Sequence, residues 1–119
     1  MSLVQTGSIA DNDTTVFLNT PRRVAINGDY AYVSAYTPDR LQVINVSNPA
    51  NPTGGISLSN NGTTLMLDGP IDSIIEGNLL YLTEFIGDAI QILDISDPAN
   101  PVAAGNYPNN GSVRLNGPR

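Results

Sequence analysis

The chain has 119 residues and a formal net charge of −6, from five Arg and eleven Asp plus Glu, with no Lys, His, Cys or Trp. The absence of His and Cys excludes the usual ligands of a zinc site. It also excludes a thiol nucleophile and a Ser-His-Asp triad. Its acidic charge argues against a nucleic-acid surface, which needs clustered positive charge. No stretch approaches the ~18 apolar residues of a membrane-spanning helix, so we expect no membrane insertion.

An internal repeat with an offset of 49 residues organises the chain. Residues 21–52, PRRVAINGDYAYVSAYTPDRLQVINVSNPANP, align without gaps with residues 70–101, PIDSIIEGNLLYLTEFIGDAIQILDISDPANP. Eleven of the thirty-two aligned positions are identical, and most of the others keep their character. A fixed period of this length is typical of a repeat architecture, in which each repeat is one supersecondary unit.

The residues between the two cores are repeated as well. GGISLSNNGTTLMLDGP (54–70) aligns with QTGSIADNDTTVFLNTP (5–21) and with the C-terminal AAGNYPNNGSVRLNGP (103–118). The chain therefore holds two complete cores and three copies of the connecting piece. The predicted organisation is a single repeat domain over 1–119, with a partial connecting piece (2–20), repeat one (21–69) and repeat two (70–118).

Each repeat is predicted to contain four short strands. The first strands, Val24–Asn27 and Ser73–Glu76, end at Gly-Asp and Gly-Asn pairs, which are typical of hairpin turns. The second and third strands have apolar side chains on both faces, as in sheets that are covered on both sides. The remaining predicted strands are Tyr30–Tyr36, Leu41–Val46 and Gly55–Leu58 in repeat one, and Leu79–Phe85 and Ile90–Ile95 in repeat two.

Four short strands in each of several repeats are typical of β-propeller blades. GDYAYVSAY…LQVINVSNPANP and GNLLYLTEF…IQILDISDPANP resemble LVIVD repeats, a propeller-type family of bacteria and archaea, in the Gly-Asn/Asp-x-x-Tyr step and the double-Pro turn. The first copy departs from the pattern at Asn45, where Asp is usual. The resemblance implies a scaffold, often from the cell surface, and it carries no catalytic residues that can be transferred to this chain.

Two blades are too few for a closed propeller, because closed propellers have roughly four to eight blades. We therefore expect an all-β fold of propeller-like blades, each of four short antiparallel strands, with extra connecting strands and with closure by oligomerisation. A homo-oligomer of three copies, with six blades, is favoured over a dimer with four. The alternative is that the chain is a fragment of a longer propeller.

Three charged residues are the candidate ligand-binding residues. Arg23 and Asp72 occupy equivalent positions on the first strands, which line the central channel of a propeller. They either pair across neighbouring blades or are simply solvated, which is the favoured interpretation, or they bind a small ligand there.

Glu84 stands in an apolar strand where the other repeat has Ala35. It is either a buried carboxyl group with a raised pKa, as in acid/base residues, or a side chain at a strand end that reaches water, which is favoured. A glycosidase-like pair needs a second carboxylate ~5–9.5 Å away, and the chain has only two Glu.

Two further patterns have a functional and a structural interpretation. Asp11-Asn12-Asp13 resembles the start of a calcium loop, but it aligns with the turn sequence Asn60-Asn61-Gly62, so a turn is favoured. The aromatic residues at Tyr30, Tyr32, Tyr36 and Phe85 form either a sugar-stacking platform or, as favoured, the core between blades.

The sequence thus predicts a non-enzymatic scaffold or interaction module that assembles with itself and needs no metal or cofactor. The alternative is a carbohydrate- or calcium-dependent binding module. The least favoured hypothesis is an enzyme that uses paired carboxylates, with Glu84 as the residue of choice. The sequence does not specify a protein or sugar partner.

Overall fold

The computed structural model describes residues 3–37 and 39–108, and every regular element in this part of the chain is a β-strand. The strands form two four-stranded antiparallel sheets with the orders β1-β2-β3-β4 and β5-β6-β7-β8, named blade 1 and blade 2. Their bounds are β1 Pro21–Asn27, β2 Tyr30–Ala35, β3 Arg40–Asn45, β4 Thr53–Ser59, β5 Pro70–Glu76, β6 Leu79–Glu84, β7 Ala89–Asp94 and β8 Val102–Pro108. The prediction of an all-β, propeller-like fold is confirmed.

The first strand of each blade begins three residues earlier than predicted. Pro21 pairs with Ala35 and Pro70 with Glu84, and a register shift follows each proline. Because proline has no N–H to donate, it fits only at such an irregular strand end. Each blade therefore starts with a proline that closes the first strand against the end of the second.

Two kinds of turn join the strands, and each recurs at the same position in both blades. Gly28 and Gly77 have φ values of 58° and 59° and form the predicted hairpin turns. Asp39 and Asp88, with φ values of 63° and 50°, end the turns between the second and third strands. Asp tolerates this left-handed conformation better than most residues other than glycine.

Apart from β4 and β8, which occupy the first part of the second and third copies, the connecting pieces contain no strand in the described part of the chain, so the prediction of extra connecting strands is wrong for residues 3–20 and 60–69. The side chains of Asn12 and Asn61 explain this result. The Oδ1 atom of Asn12 accepts hydrogen bonds from three successive backbone N–H groups, 2.8–3.0 Å away. The Oδ1 atom of Asn61 likewise accepts from the backbone N–H groups of Thr63 and Leu65, and these local bonds take donors that a sheet would need. The third connecting piece lies largely outside the described residues.

Each blade has a front face and a rear face, and the main core lies between the front of blade 1 and the rear of blade 2. The front of blade 1 contributes the aromatic and aliphatic side chains of β2 and β3, and the rear of blade 2 contributes three leucines of β6 and β7. The buried members of this cluster are Tyr32, Leu41, Val43, Leu67, Leu80, Leu82, Leu93 and Ile95. This core makes the two blades one packed unit.

A second, smaller cluster covers the rear of blade 1. Ala31, Val33 and Ile44 are its buried members, and Ile9 and Leu18 from the N-terminal connecting piece pack against them. Leu67, which is equivalent to Leu18, belongs to the main core. The rear faces of both blades are thus covered by equivalent connecting pieces.

Candidate functional site

The candidate residues Arg23 and Asp72 meet across the two blades. The Nε atom of Arg23 lies 3.0 Å from Oδ1 of Asp72, with 59% and 46% of the two side chains exposed. Of the two interpretations, the structure shows the ion pair. Because both groups remain half-exposed, the pair contributes only about 0–1 kcal/mol to stability. The role of these residues in ligand binding stays a prediction.

Glu84 is buried at the end of β6, and the prediction that it reaches water there is wrong. The residue has no exposed surface, and neither carboxyl oxygen has a hydrogen-bond partner within residues 3–37 and 39–108. The connecting piece between the two blades, residues 60–69, folds over the end of β6. The N–H of Gly87 donates to the carbonyl oxygen of Asp68, and the N–H of Phe85 to that of Gly69, both at 2.9 Å.

The surroundings of Glu84 favour its neutral form. Burial raises the pKa of Glu84 to about 9, and the negative charges of Asp39 and Asp68 act in the same direction. Asp39 is itself bound to the connecting segment, because its Oδ1 accepts a hydrogen bond of 2.8 Å from the N–H of Gly69. Glu84 is therefore a protonated acid at neutral pH, enclosed at the junction between the blades.

Two buried glutamines, which the sequence analysis missed, hold the connecting pieces to the blades. Gln42 and Gln91 occupy equivalent positions in β3 and β7 and are fully buried. The Oε1 atom of Gln42 accepts from the N–H of Phe17 at 2.8 Å, and that of Gln91 accepts from the N–H of Met66 at 2.7 Å. The signal was present, because an identical polar residue occurs in both copies of an otherwise apolar strand.

The aromatic residues divide between the core and a surface pocket. Tyr32 is fully buried, and its hydroxyl donates a hydrogen bond of 2.7 Å to the carbonyl oxygen of Pro98 in blade 2. Tyr36 and Phe85 line an open pocket of about 350 Å³ with Arg22 and Ile71. The guanidinium group of Arg22 lies 5.0 Å from the centre of the Tyr36 ring. The core interpretation holds for Tyr32, whereas Tyr36 and Phe85 keep partly exposed rings.

The Asp11-Asn12-Asp13 sequence forms a turn. Asn12 binds backbone N–H groups, and Oδ1 of Asp11 accepts a hydrogen bond of 2.9 Å from the N–H of Leu18. Among the described residues, no group of three or more His, Cys, Asp or Glu side chains is arranged to hold a metal ion. In the same part of the chain, no helix is long and apolar enough to cross a membrane.

The front face of blade 2 is partly uncovered. Its central side chains are only half-buried, whereas the equivalent side chains of blade 1 are fully buried against blade 2. On β5, the first strand of blade 2, Ile74 is 67% exposed, although its equivalent Ala25 packs against the main core. The equivalent pairs on the two front faces are Tyr32 and Tyr81, Leu41 and Ile90, and Val43 and Ile92.

The rear face of blade 1 is covered only in part. The N-terminal connecting piece covers Ala31, Val33 and Ile44, but Val24 and Ile26 on β1 are 54% and 59% exposed. The residue equivalent to Ile26 is Ile75, and it packs against the main core. The two outer faces of the molecule are therefore the front of blade 2 and the rear of blade 1. In its interior, a front face and a rear face of the same kinds pack against each other.

The comparisons with known proteins agree with this architecture. Residues 20–58 and 73–109 match a family model described as LVIVD repeat. The first segment contains all of β1–β3 and β4 except Ser59, and the second contains β5 from Ser73 onwards and all of β6–β8. Neither the curated proteins nor the solved structures include a match. Because the two matched segments cover more than half of the chain and each coincides with one blade, the chain belongs to the LVIVD repeat family.

Proposed function

We propose that this chain is a non-enzymatic structural module that associates with copies of itself, the front of blade 2 against the rear of blade 1 of the next copy. The observation that carries the proposal is the difference between equivalent positions. Ile74 is mostly exposed where Ala25 is packed, and Ile26 is mostly exposed where Ile75 is packed. Burial of apolar surface favours association by about 25 cal/mol per Å².

Repetition of this contact adds blades in one rotational sense. A head-to-tail contact closes into a ring when the rotation allows it, and propellers close at roughly four to eight blades. Three copies of a two-bladed chain supply six blades and two copies supply four. We favour the trimer, in which the ion pair of Arg23 and Asp72 would recur around a central channel.

The mass in solution tests the proposal. By size-exclusion chromatography with light scattering, we expect three times the chain mass of 12.6 kDa, or twice that mass for a four-bladed ring. Ile74→Asp places a charge on the front face and is expected to raise the concentration needed for assembly at least tenfold. Ile86→Asp is the matched control, because Ile86 is 52% exposed but lies in the turn after β6. A single-chain mass at every concentration up to the millimolar range would refute the proposal.

A carbohydrate-binding module is the second candidate. The pocket of Arg22, Tyr36, Ile71 and Phe85 favours it, because a partly exposed aromatic ring beside a guanidinium group suits a hydroxylated ring. A ligand that binds the native state raises the melting temperature. We expect a glycan panel to include at least one such ligand, whose effect is lost in Tyr36→Ala, with millimolar Ca²⁺ as a separate arm. No shift with any glycan would remove this candidate.

A further inference from the structure

The N-terminal connecting piece, residues 3–20, is named the N-terminal cap because it covers the rear of blade 1. Ile9 and Leu18 pack on the small cluster there, and the N–H of Phe17 donates to the buried Gln42. By the 49-residue offset, Ile9 is equivalent to Leu58 in β4, and Leu58 is equivalent to Tyr107 in β8. The first half of the cap therefore corresponds in repeat position to the fourth strand of a preceding blade.

The cap also lies against one particular backbone group. Gly7 is so close to the turn after β3 that a methyl group on it would overlap the carbonyl oxygen of Pro49 and would lie 2.9 Å from the carbonyl group of Ala50. Pro49 is the first proline of the double-Pro motif, and its equivalent in blade 2 is Pro98. The carbonyl oxygen of Pro98 accepts the hydroxyl of Tyr32 and so joins the two blades.

By the 49-residue offset, the groups equivalent to this hydrogen-bonded pair are the hydroxyl of Tyr81 and the carbonyl oxygen of Pro49. Tyr81 is equivalent to Tyr32 and stands half-buried on the front of blade 2. When the front of blade 2 meets the rear of blade 1 in a second copy, the group facing Tyr81 is the carbonyl oxygen of Pro49. The backbone of Gly7 already lies there, and the two cannot share the position.

We infer that the N-terminal cap is a substitute for a neighbouring copy, and that a second copy displaces residues 3–10 when its Tyr81 hydroxyl binds the Pro49 carbonyl oxygen. This inference rests on the proposed head-to-tail association and names its contact. Residues 11–20 stay in place, because they correspond to the connecting piece that lies on the rear of blade 2 in the interior of the chain. The cap sets the concentration at which copies assemble.

Gly7→Ala is the direct test, since its methyl group cannot fit beside Pro49. The mass of the full chain is measured by light scattering over a range of concentrations, with far-ultraviolet circular dichroism to confirm that the blades are folded. We expect the midpoint of assembly to fall at least tenfold, because the cap no longer competes. Ser8→Ala is the matched control, since it adds no atom to the same segment, and its midpoint is expected to stay unchanged.

Tyr81→Phe provides an independent measurement. Loss of one hydrogen bond is worth about 0.5–1.5 kcal/mol, so we expect the midpoint to rise about twofold to twelvefold. Tyr32→Phe removes the equivalent bond inside the chain and is expected to lower the free energy of unfolding without a comparable shift. If the unmodified chain assembles but Gly7→Ala and Tyr81→Phe leave the midpoint unchanged, the cap inference is wrong and the association stands. If the chain never assembles, the proposed function itself is wrong.

Discussion

The free energy of unfolding is expected to fall as the pH rises from about 5 to about 9, because a buried acid has to be protonated in the folded state. The group is Glu84, whose pKa burial raises to about 9 from an ordinary value of 4.5. Its oxygens have no hydrogen-bond partner in the described part of the chain that would stabilise the charged form. Ionisation therefore places a bare negative charge beside Asp39 and Asp68.

The sign follows from the protons bound in each state. In the unfolded chain Glu84 loses its proton near pH 4.5, whereas in the folded chain it keeps the proton to about pH 9. Between these values the folded state binds more protons, so stability is highest below pH 4.5 and is lost as the pH rises through this window. Burial also raises the pKa of Asp68, with a contribution from Asp39, and this shift adds to the loss. The expected loss from Glu84 is on the order of a few kcal/mol.

Glu84→Gln removes the ionisable group and nearly preserves the volume. We expect this variant to be more stable than the parent at pH 8–9 by a few kcal/mol, since no proton has to be taken up on folding. Its pH profile should be flatter. The measurement is urea unfolding at pH 5, 7 and 9, followed by circular dichroism. Glu76→Gln is the control, because Glu76 is the other glutamate and is exposed; its profile should match that of the parent. Parallel profiles for the parent and Glu84→Gln would contradict the assignment.

The strand pattern could be predicted from the sequence because the residues that end each strand act locally. Gly28 and Gly77 take positive φ values that other residues avoid, and the double prolines end the third strand of each blade. Such signals depend on neighbouring residues only, so one offset of 49 residues identified both blades. The exact strand ends were less predictable, since pairing across a register shift admits Pro21 and Pro70.

The burial of Glu84 could not be read in the same way. A strand end is usually exposed, and whether the connecting segment returns over it depends on long-range backbone contacts such as Gly87 with Asp68. The ion pair of Arg23 and Asp72 could be predicted, because repeat symmetry places equivalent residues side by side in adjacent blades. Repeat symmetry thus predicts contacts between blades, while departures from it, such as Glu84 against Ala35, need the path of the connecting piece.

The same symmetry makes the two ends of the molecule informative. Inside the chain, the front of blade 1 and the rear of blade 2 show how two blades of this sequence pack, down to the hydroxyl of Tyr32 on Pro98. On the outer faces, the equivalent side chains on the front of blade 2 are half-buried, and the N-terminal cap covers part of the rear of blade 1. The interior contact therefore serves as a template for the contact between copies.

The second large effect is expected at the buried glutamines, which connect each blade to the segment before it. Besides accepting from Met66, Gln91 donates through Nε2 to the carbonyl oxygens of Ile92 and Gly105, at 3.1 and 2.9 Å. Gln42 makes the same kind of contacts with Val43, Gly55 and Ile56, at 2.9–3.3 Å. Each of these strands has a register shift within two residues of the glutamine, and the side-chain amide binds backbone carbonyl groups beside that shift.

Gln91→Ala is expected to lower the free energy of unfolding by about 3 kcal/mol or more, because it leaves several buried backbone groups unsatisfied and opens a cavity. Gln91→Met keeps most of the side-chain volume, so it isolates the contribution of the hydrogen bonds. This contribution should account for at least half of the loss in the free energy of unfolding. Gln42→Ala is expected to cost a similar amount, since its contacts are equivalent. Gln5→Ala is the control, because Gln5 is exposed in the N-terminal cap and its loss should change stability by less than about 0.5 kcal/mol. Urea unfolding at pH 7 provides the comparison, and a loss below about 1 kcal/mol for both buried glutamines would show that the connecting pieces are held by packing alone.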